Sequence, residues 1–305
     1  MTGEFKRVTS QFRHWVTADG QAGSSGEGGF AAEAGRYHLY ISHACPWAHR
    51  TLIFRKLKGL ESVISLSVVH PLMPAESWRF GEYPGSTRDH LYGFEYLHQL
   101  YAKAGADPRE LVTVPVLWDK QRETIVNNES SEIIRMFNSA FDAYGNGSLD
   151  FYPEALRAEI DDINAVVYER INNGVYRAGF ATTQTAYETA FDLLFQTLDE
   201  LEARLSEQRY LVGEQITEAD WRLFTTLLRF DAVYYGHFKC NKKQLRDYPN
   251  LWAYTRELYQ YAGVAETVNL EQIKYHYYAS HESVNPTGIV PKGPELDFLQ
   301  PHGRE

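Results

Sequence analysis

Cysteine is nearly absent from this 305-residue chain, which has only Cys45 and Cys240. Two thiols so far apart make no disulfide framework, and a reducing cytosol is the expected compartment. Long apolar runs are also missing, which argues against a membrane-spanning helix. The opening Met1-Thr2-Gly3-Glu4-Phe5-Lys6-Arg7 lacks the apolar core of a signal peptide. Positive charge is in deficit: a net charge of −10 sets nucleic acid and anionic membranes aside as main partners, while leaving room for a local basic pocket that takes a small anion. Nothing repeats internally. The 44% hydrophobic content fits a globular protein with chain enough for one large or two ordinary domains. Aromatic residues are in surplus, with 21 Tyr, 16 Phe and 6 Trp. Most suit core packing; a flat aromatic substrate is compatible, and composition does not choose between the two.

Along the chain, 19–29 is rich in Gly and Ser and reads as a flexible loop or arm. A strand at 36–41, a helix at 45–58 closed by Gly59, and a β-branched strand at 63–69 then make a βαβ unit. The interval 70–111 is too long for a plain loop and holds one helical pattern near 89–104, so it reads as an insertion that shapes a site. Thr113-Val114-Pro115-Val116-Leu117-Trp118 is a strand interrupted at its start by proline, and 123–126 is a further short strand leading into a helix near Glu129-Ser130. This order predicts a small α/β domain of thioredoxin type over 36–140, preceded by an extension at 1–35. The remainder, 150–305, reads as all-helical with an extended tail. In 184–207 an apolar stripe runs through Phe191, Leu194, Phe195, Leu198, Leu201 and Leu205, and Thr217-Glu218-Ala219-Asp220 has the form of a capping box flanked by Ile216 and Trp221. Further helices are expected at 250–261 and 266–280.

Cys45 is the residue that points to chemistry. It ends a strand-to-helix connection and is followed by Pro46, which suits a first helical position because its missing N–H would have had no partner there. The free N–H groups and the positive end of a helix dipole favour a thiolate, so the Cys45 pKa is expected below that of an ordinary thiol. A dithiol oxidoreductase has Cys-x-x-Cys at such a place; here the fourth residue is Ala48. A mixed disulfide on Cys45 would therefore be resolved by a thiol from solution, for which glutathione is the abundant cellular candidate. A buried core thiol is the alternative for any lone cysteine, and it is the reading given to Cys240. His276 and His281 lack the neighbours of a metal site, so no metal is expected.

The strings Gly35-Arg36-Tyr37-His38-Leu39-Tyr40, Cys45-Pro46-Trp47-Ala48-His49-Arg50, Val112-Thr113-Val114-Pro115-Val116-Leu117-Trp118-Asp119, Asn127-Asn128-Glu129-Ser130 and His237-Phe238-Lys239-Cys240-Asn241 carry a family resemblance. Spanning nearly the whole chain, the sequence resembles the glutathionyl-hydroquinone reductases, the Xi class of glutathione transferases. The resemblance implies a thioredoxin-like domain followed by a helical glutathione-transferase domain, a homodimer, and no tightly bound cofactor. It also implies reduction of glutathionyl-hydroquinones with glutathione as co-substrate. Cys45 would be the nucleophile, and Val114, before a cis-Pro115, would pair its backbone with glutathione. Glu129 and Ser130 would hold the γ-glutamyl end, and Trp78 would cover the tripeptide. Tyr176, Tyr234 and Tyr277 would surround the hydroquinone; read alone, each is ordinary core packing. One departure concerns the glycyl carboxylate: the family often has a basic residue where this chain has Leu111, and Arg109 stands nearby at a shifted position.

Two rivals share these residues. An Omega-like thioltransferase or dehydroascorbate reductase would use Cys45 without the tyrosines. A non-catalytic binding protein of the same fold would not need the Cys45-Pro46 pair.

Overall fold

Tyr37–Ile41 is an unbroken run of side chains driven from water. It forms the central strand β1, and all five of its residues are buried. The computed structural model describes residues 2–107 and 111–304. The chain separates into two units. One, Val8–Asp150 with Glu266–His276, holds the sheet; the other, Met1–Arg7 with Phe151–Ala265 and Tyr277–Glu305, is helical. An α/β unit followed by helices is the fold class expected from the sequence.

In the sheet-bearing unit, β1 leads into α1 (Pro46–Leu57) and then β2 (Ser65–Val68), which lies parallel to β1 with Leu39 opposite Leu66. A parallel neighbour needs a crossover, and α1 provides it. After α2 (Leu97–Lys103), β3 (Val116–Asp119) runs antiparallel to β1 and β4 (Thr124–Asn127) antiparallel to β3. The spatial order is β2-β1-β3-β4, and α3 (Ser130–Ser139) follows. Lys58 caps α1, after which Gly59 adopts a φ of +66°, a conformation that costs glycine nothing. Arg36 and Asp119 flank the paired ends of β1 and β3. Their buried charges meet at 2.5 Å, which satisfies both where neither could remain alone.

Two segments differ from the sequence reading. The helix expected near 89–104 is only α2. The Asp89 carboxylate accepts the N–H groups of Leu91, Tyr92 and Phe94 and holds that stretch as a turn, while Gln99 accepts the N–H groups of Glu95 and Tyr96 and so starts the helix there. The Gly/Ser-rich stretch is a tied loop: the Thr17 N–H donates to Phe30 O at 3.1 Å and the Gly29 N–H to Gly20 O at 2.6 Å.

The helical unit comprises α4 (Arg157–Val167), α5 (Gly174–Gly179), α6 (Gln184–Glu207), α7 (Glu218–Arg229), α8 (Pro249–Gln260) and the end of α9 (Leu270–Ser280). α6 has the expected span, with Leu194, Phe195, Leu198, Leu201 and Leu205 buried. The Thr217 capping box is present: Asp220 Oδ2 accepts the Thr217 N–H at 2.7 Å, and α7 begins at the next residue. α9 starts later than expected, a single 3₁₀ turn at Ala265–Thr267 preceding it. Two π turns, Tyr168–Asn172 after α4 and Phe230–Tyr234 after α7, are structure that no sequence pattern signalled. Among the described residues no helix is long and apolar enough to cross a membrane.

Candidate active site

The chain leaves β1 through Ser42, whose hydroxyl accepts the Ala44 N–H at 3.2 Å and whose carbonyl accepts the Cys45 N–H at 3.2 Å. This tight connection places Cys45 at the N-cap of α1 with extended dihedrals, φ −75° and ψ 120°. Its sulfur accepts the Ala48 N–H at 3.5 Å, taking the role that a serine or aspartate oxygen takes at other helix starts. The sulfur also meets the Val114 carbonyl, at 3.5 Å, to which the thiol donates. Cys45 is partly exposed, whereas Cys240 is wholly buried. A half-open sulfur at a helix N-terminus is placed for nucleophilic chemistry. Burial pushes the Cys240 thiol far above its ordinary range.

The Val114–Pro115 peptide is cis and immediately precedes β3. Glu129 is the N-cap of α3. Its carboxylate accepts the Ser131 N–H at 3.1 Å and the Ser10 hydroxyl at 3.2 Å. Ser130 opens α3 and is buried, with its hydroxyl accepting from the Arg50 guanidinium at 3.4 Å. Arg50 is itself 1% exposed and packs over the Trp47 ring at 4.5 Å. A buried guanidinium, a serine hydroxyl and the first turn of a helix form a corner suited to a carboxylate.

Trp78 is buried and stacks on His276, with centroids 4.8 Å apart and planes at 22°. It lines a cavity of about 540 Å³ with Met73, His98, Tyr101, Leu111 and Val112. Leu111 is 64% exposed on this wall, and Arg109 lies outside the described residues. His49 is buried, with its Nε2 and Thr267 Oγ1 hydrogen-bonded at 2.8 Å. Among the described residues no three His, Cys, Asp or Glu side chains are grouped to hold a metal.

In the helical unit, three tyrosines from α5, a π turn and α9 converge. The hydroxyls of Tyr176 and Tyr277 lie 2.5 Å apart, and those of Tyr234 and Tyr277 lie 3.1 Å apart. The π turn ends with the Tyr235 N–H on Phe230 O at 2.8 Å and directs Tyr234 inward. Tyr234 and Tyr277 are fully buried, and desolvation raises both well above the ordinary phenol range, so both stay protonated. Tyr176 is partly exposed. Phe238 stacks behind Tyr234 at 16° and presses on Gly179, where its ring leaves no room for a Cβ.

The structure thus groups Cys45 with Val114, Ser130 with Glu129, and the three tyrosines with one another. Sequence reasoning missed Arg50, Ser10 and Phe238. α1 is buried almost all round, so no amphipathic pattern marks Arg50. Ser10 reaches Glu129 from far along the chain, which no local spacing encodes.

Comparison with known proteins gives a consistent picture. The family model for the glutathione S-transferase N-terminal domain matches residues 44–140, and that for the C-terminal domain matches 184–257. The chain is 57% identical to the glutathionyl-hydroquinone reductase YqjG of Escherichia coli, over 99% of this chain and 93% of that protein. The glutathione-bound structure of YqjG superposes with a TM-score of 0.94 at 56% identity, covering 100% of this chain and 98% of that one. PcpF of Sphingobium chlorophenolicum, another glutathionyl-hydroquinone reductase, is 54% identical over 96% of this chain and 90% of its own. The Xi-class glutathione transferase of Natrialba magadii superposes with a TM-score of 0.92 at 52% identity, over 97% and 89% of the two chains.

Proposed function

We propose, because this chain belongs to the glutathione transferase family and to its Xi class, that it reduces glutathionyl-hydroquinones to hydroquinones at the expense of glutathione. The observation that carries this reading is the single partly exposed thiol. The Cys45 sulfur caps α1, Ala48 stands where a resolving cysteine would be, and the other thiol is buried.

In the first step the Cys45 thiolate attacks the sulfur of the glutathionyl-hydroquinone. An S–S bond forms, the sulfur–carbon bond breaks, and its electron pair stays on the ring carbon, which takes a proton. The Tyr176, Tyr234 and Tyr277 hydroxyls hydrogen-bond the substrate oxygens as charge develops on the ring. A second glutathione then attacks the mixed disulfide, freeing Cys45 and leaving glutathione disulfide. In this reading Glu129 takes the glutathione ammonium, and Ser130 takes the γ-glutamyl carboxylate with the α3 N–H groups. Val114 pairs with the tripeptide backbone, and Trp78 covers it. The Arg50 guanidinium beside Ser130 supports the carboxylate assignment. A homodimer working in the cytosol belongs to the same proposal, and light scattering of the purified protein reads the first part of it.

The Omega-like alternative needs only Cys45 and its helix. Turnover of glutathionyl-hydroquinone and of dehydroascorbate by the same preparation separates the two. Efficient turnover of the first substrate is expected; turnover of the second alone would replace the reductase reading with the thioltransferase one.

A further inference from the structure

The N-terminal segment forms a short strap on the helical unit. The Thr183 hydroxyl donates to Thr2 O at 3.2 Å and the Thr182 N–H to Gly3 O at 3.0 Å. Gly3 has a φ of +75°, and a Cβ there would come within 2.6 Å of the Thr183 side chain, so the approach depends on glycine. These ties bring Phe5 onto Phe180, with centroids 5.6 Å apart, and onto Tyr176 at 6.2 Å. Arg7 follows: its Cζ lies 4.8 Å from the Tyr176 ring centroid, and its Nε donates to Asn173 Oδ1 at 2.7 Å. Asn173 is buried, so the tether is fixed at its far end. The guanidinium is thereby held over the ring of the tyrosine in the cluster that is only partly buried.

A cation over a phenol ring favours the phenolate over the phenol, because the ring carries more negative charge once the proton has left. Burial acts in the opposite sense on Tyr234 and Tyr277 and keeps both protonated. Loss of the Tyr176 proton would leave an oxyanion 2.5 Å from the Tyr277 hydroxyl, which can donate to it. Other charged or titratable groups on the elements packed here include Glu4 and Lys6 of the strap, Tyr168, Glu169 and Arg170 of the first π turn, Arg177, which pairs with Glu169, and Arg229, Asp231, Tyr235, His237, Tyr278 and His281 on or beside α7, the second π turn and α9.

We propose that Arg7 is a positioning residue for the hydroquinone chemistry, holding the Tyr176 ring and making its hydroxyl the proton donor to the substrate carbon. The inference rests on the reading that the tyrosines contact the hydroquinone. As the Cys45 sulfur bonds the glutathionyl sulfur, the electron pair left on the ring carbon takes the Tyr176 proton. A C–H bond forms, and the Tyr176 oxyanion regains a proton from water. No oxidant or further reductant enters the step.

The test compares Arg7→Gln and Arg7→Lys with the unaltered protein on two substrates, a glutathionyl-hydroquinone under anaerobic conditions and the mixed disulfide of glutathione with 2-mercaptoethanol. For Arg7→Gln, kcat on the glutathionyl-hydroquinone should fall about fivefold, the scale of a lost cation–ring contact. The alkaline limb of its pH profile should move to higher pH, because an unassisted phenol holds its proton longer. Mixed-disulfide reduction should be unchanged, and Arg7→Lys, which restores a cation, should recover most of the lost rate. Equal losses on both substrates, an unmoved alkaline limb, or a lysine variant no better than the glutamine one would each overturn the proposal. If the unaltered protein turns over only the mixed disulfide, the reductase reading itself fails. If it reduces the glutathionyl-hydroquinone and Arg7→Gln matches it, the Arg7 inference alone fails.

Discussion

Cys45 is held by its immediate neighbours in the chain, Ser42 on one side and Ala48 on the other, together with one carbonyl from Val114. The tyrosine cluster is assembled the other way, with Tyr176 and Tyr277 separated by 101 positions and Tyr234 delivered by a π turn. The Ala48 N–H and the Val114 carbonyl that meet the thiol are backbone groups that side-chain replacement cannot remove. The cluster consists of side-chain hydroxyls kept in register by Phe238, Phe180 and the strap. Damage at the first region should end thiol transfer of every kind. Damage at the second should discriminate between substrates.

The largest expected effect is that of Cys45→Ser, which keeps the shape of the cap but leaves an oxygen far less nucleophilic at neutral pH. Turnover of the glutathionyl-hydroquinone and of a simple glutathione mixed disulfide should both fall by about a hundredfold or more. Steady-state rates check this, and retention of a tenth of the activity on either substrate would remove Cys45 from its role. Tyr277→Phe should sharpen the contrast. Its hydroxyl joins the other two, so its loss should slow hydroquinone release about tenfold, the scale of a hydrogen bond made to developing charge, with the mixed disulfide reduced as before. Equal losses on both substrates would mean that the cluster supports the fold rather than the substrate.

Glu129→Gln should be milder, raising the KM for glutathione about fivefold with little change in kcat, since the contact weakened is remote from the reacting sulfur. A defect confined to kcat would place Glu129 outside the binding site. The smallest effect is expected at Cys240. Cys240→Ala should leave rates within about twofold and cost on the order of 1 kcal/mol of stability from a small cavity, readable as a lowered urea midpoint. Accumulation of glutathionylated Cys45 in this variant would instead show that Cys240 resolves the intermediate.

The same contrast explains what could be read from the sequence. Local signals survived intact: the Cys45-Pro46 helix start and the Thr217 capping box rest on contacts within one turn, and the apolar stripe of α6 is a periodicity along one helix. Short-range capture of backbone N–H groups by polar side chains was misjudged, as where Asp89 holds a turn in place of helix and Gln99 delays α2, because such a side chain offers the backbone an alternative to helix that apolar periodicity does not record. The Ser10 contact to Glu129 and the Arg50 contact to Ser130 depend on which elements meet, and periodicity carries no record of that. The tyrosines stood out only through family resemblance, because burial of a ring is what most tyrosines in a core of this size would show.

The central claim is that one thiol, Cys45, carries the glutathionyl group between two molecules. Intact-mass spectrometry after a single turnover with glutathionyl-hydroquinone, with no free glutathione present, tests it most directly. The account predicts one glutathionyl group per chain, on the peptide bearing Cys45, with one hydroquinone released for each group gained; added glutathione should then restore the original mass. Release of hydroquinone with no adduct on Cys45, or an adduct on Cys240, would contradict it.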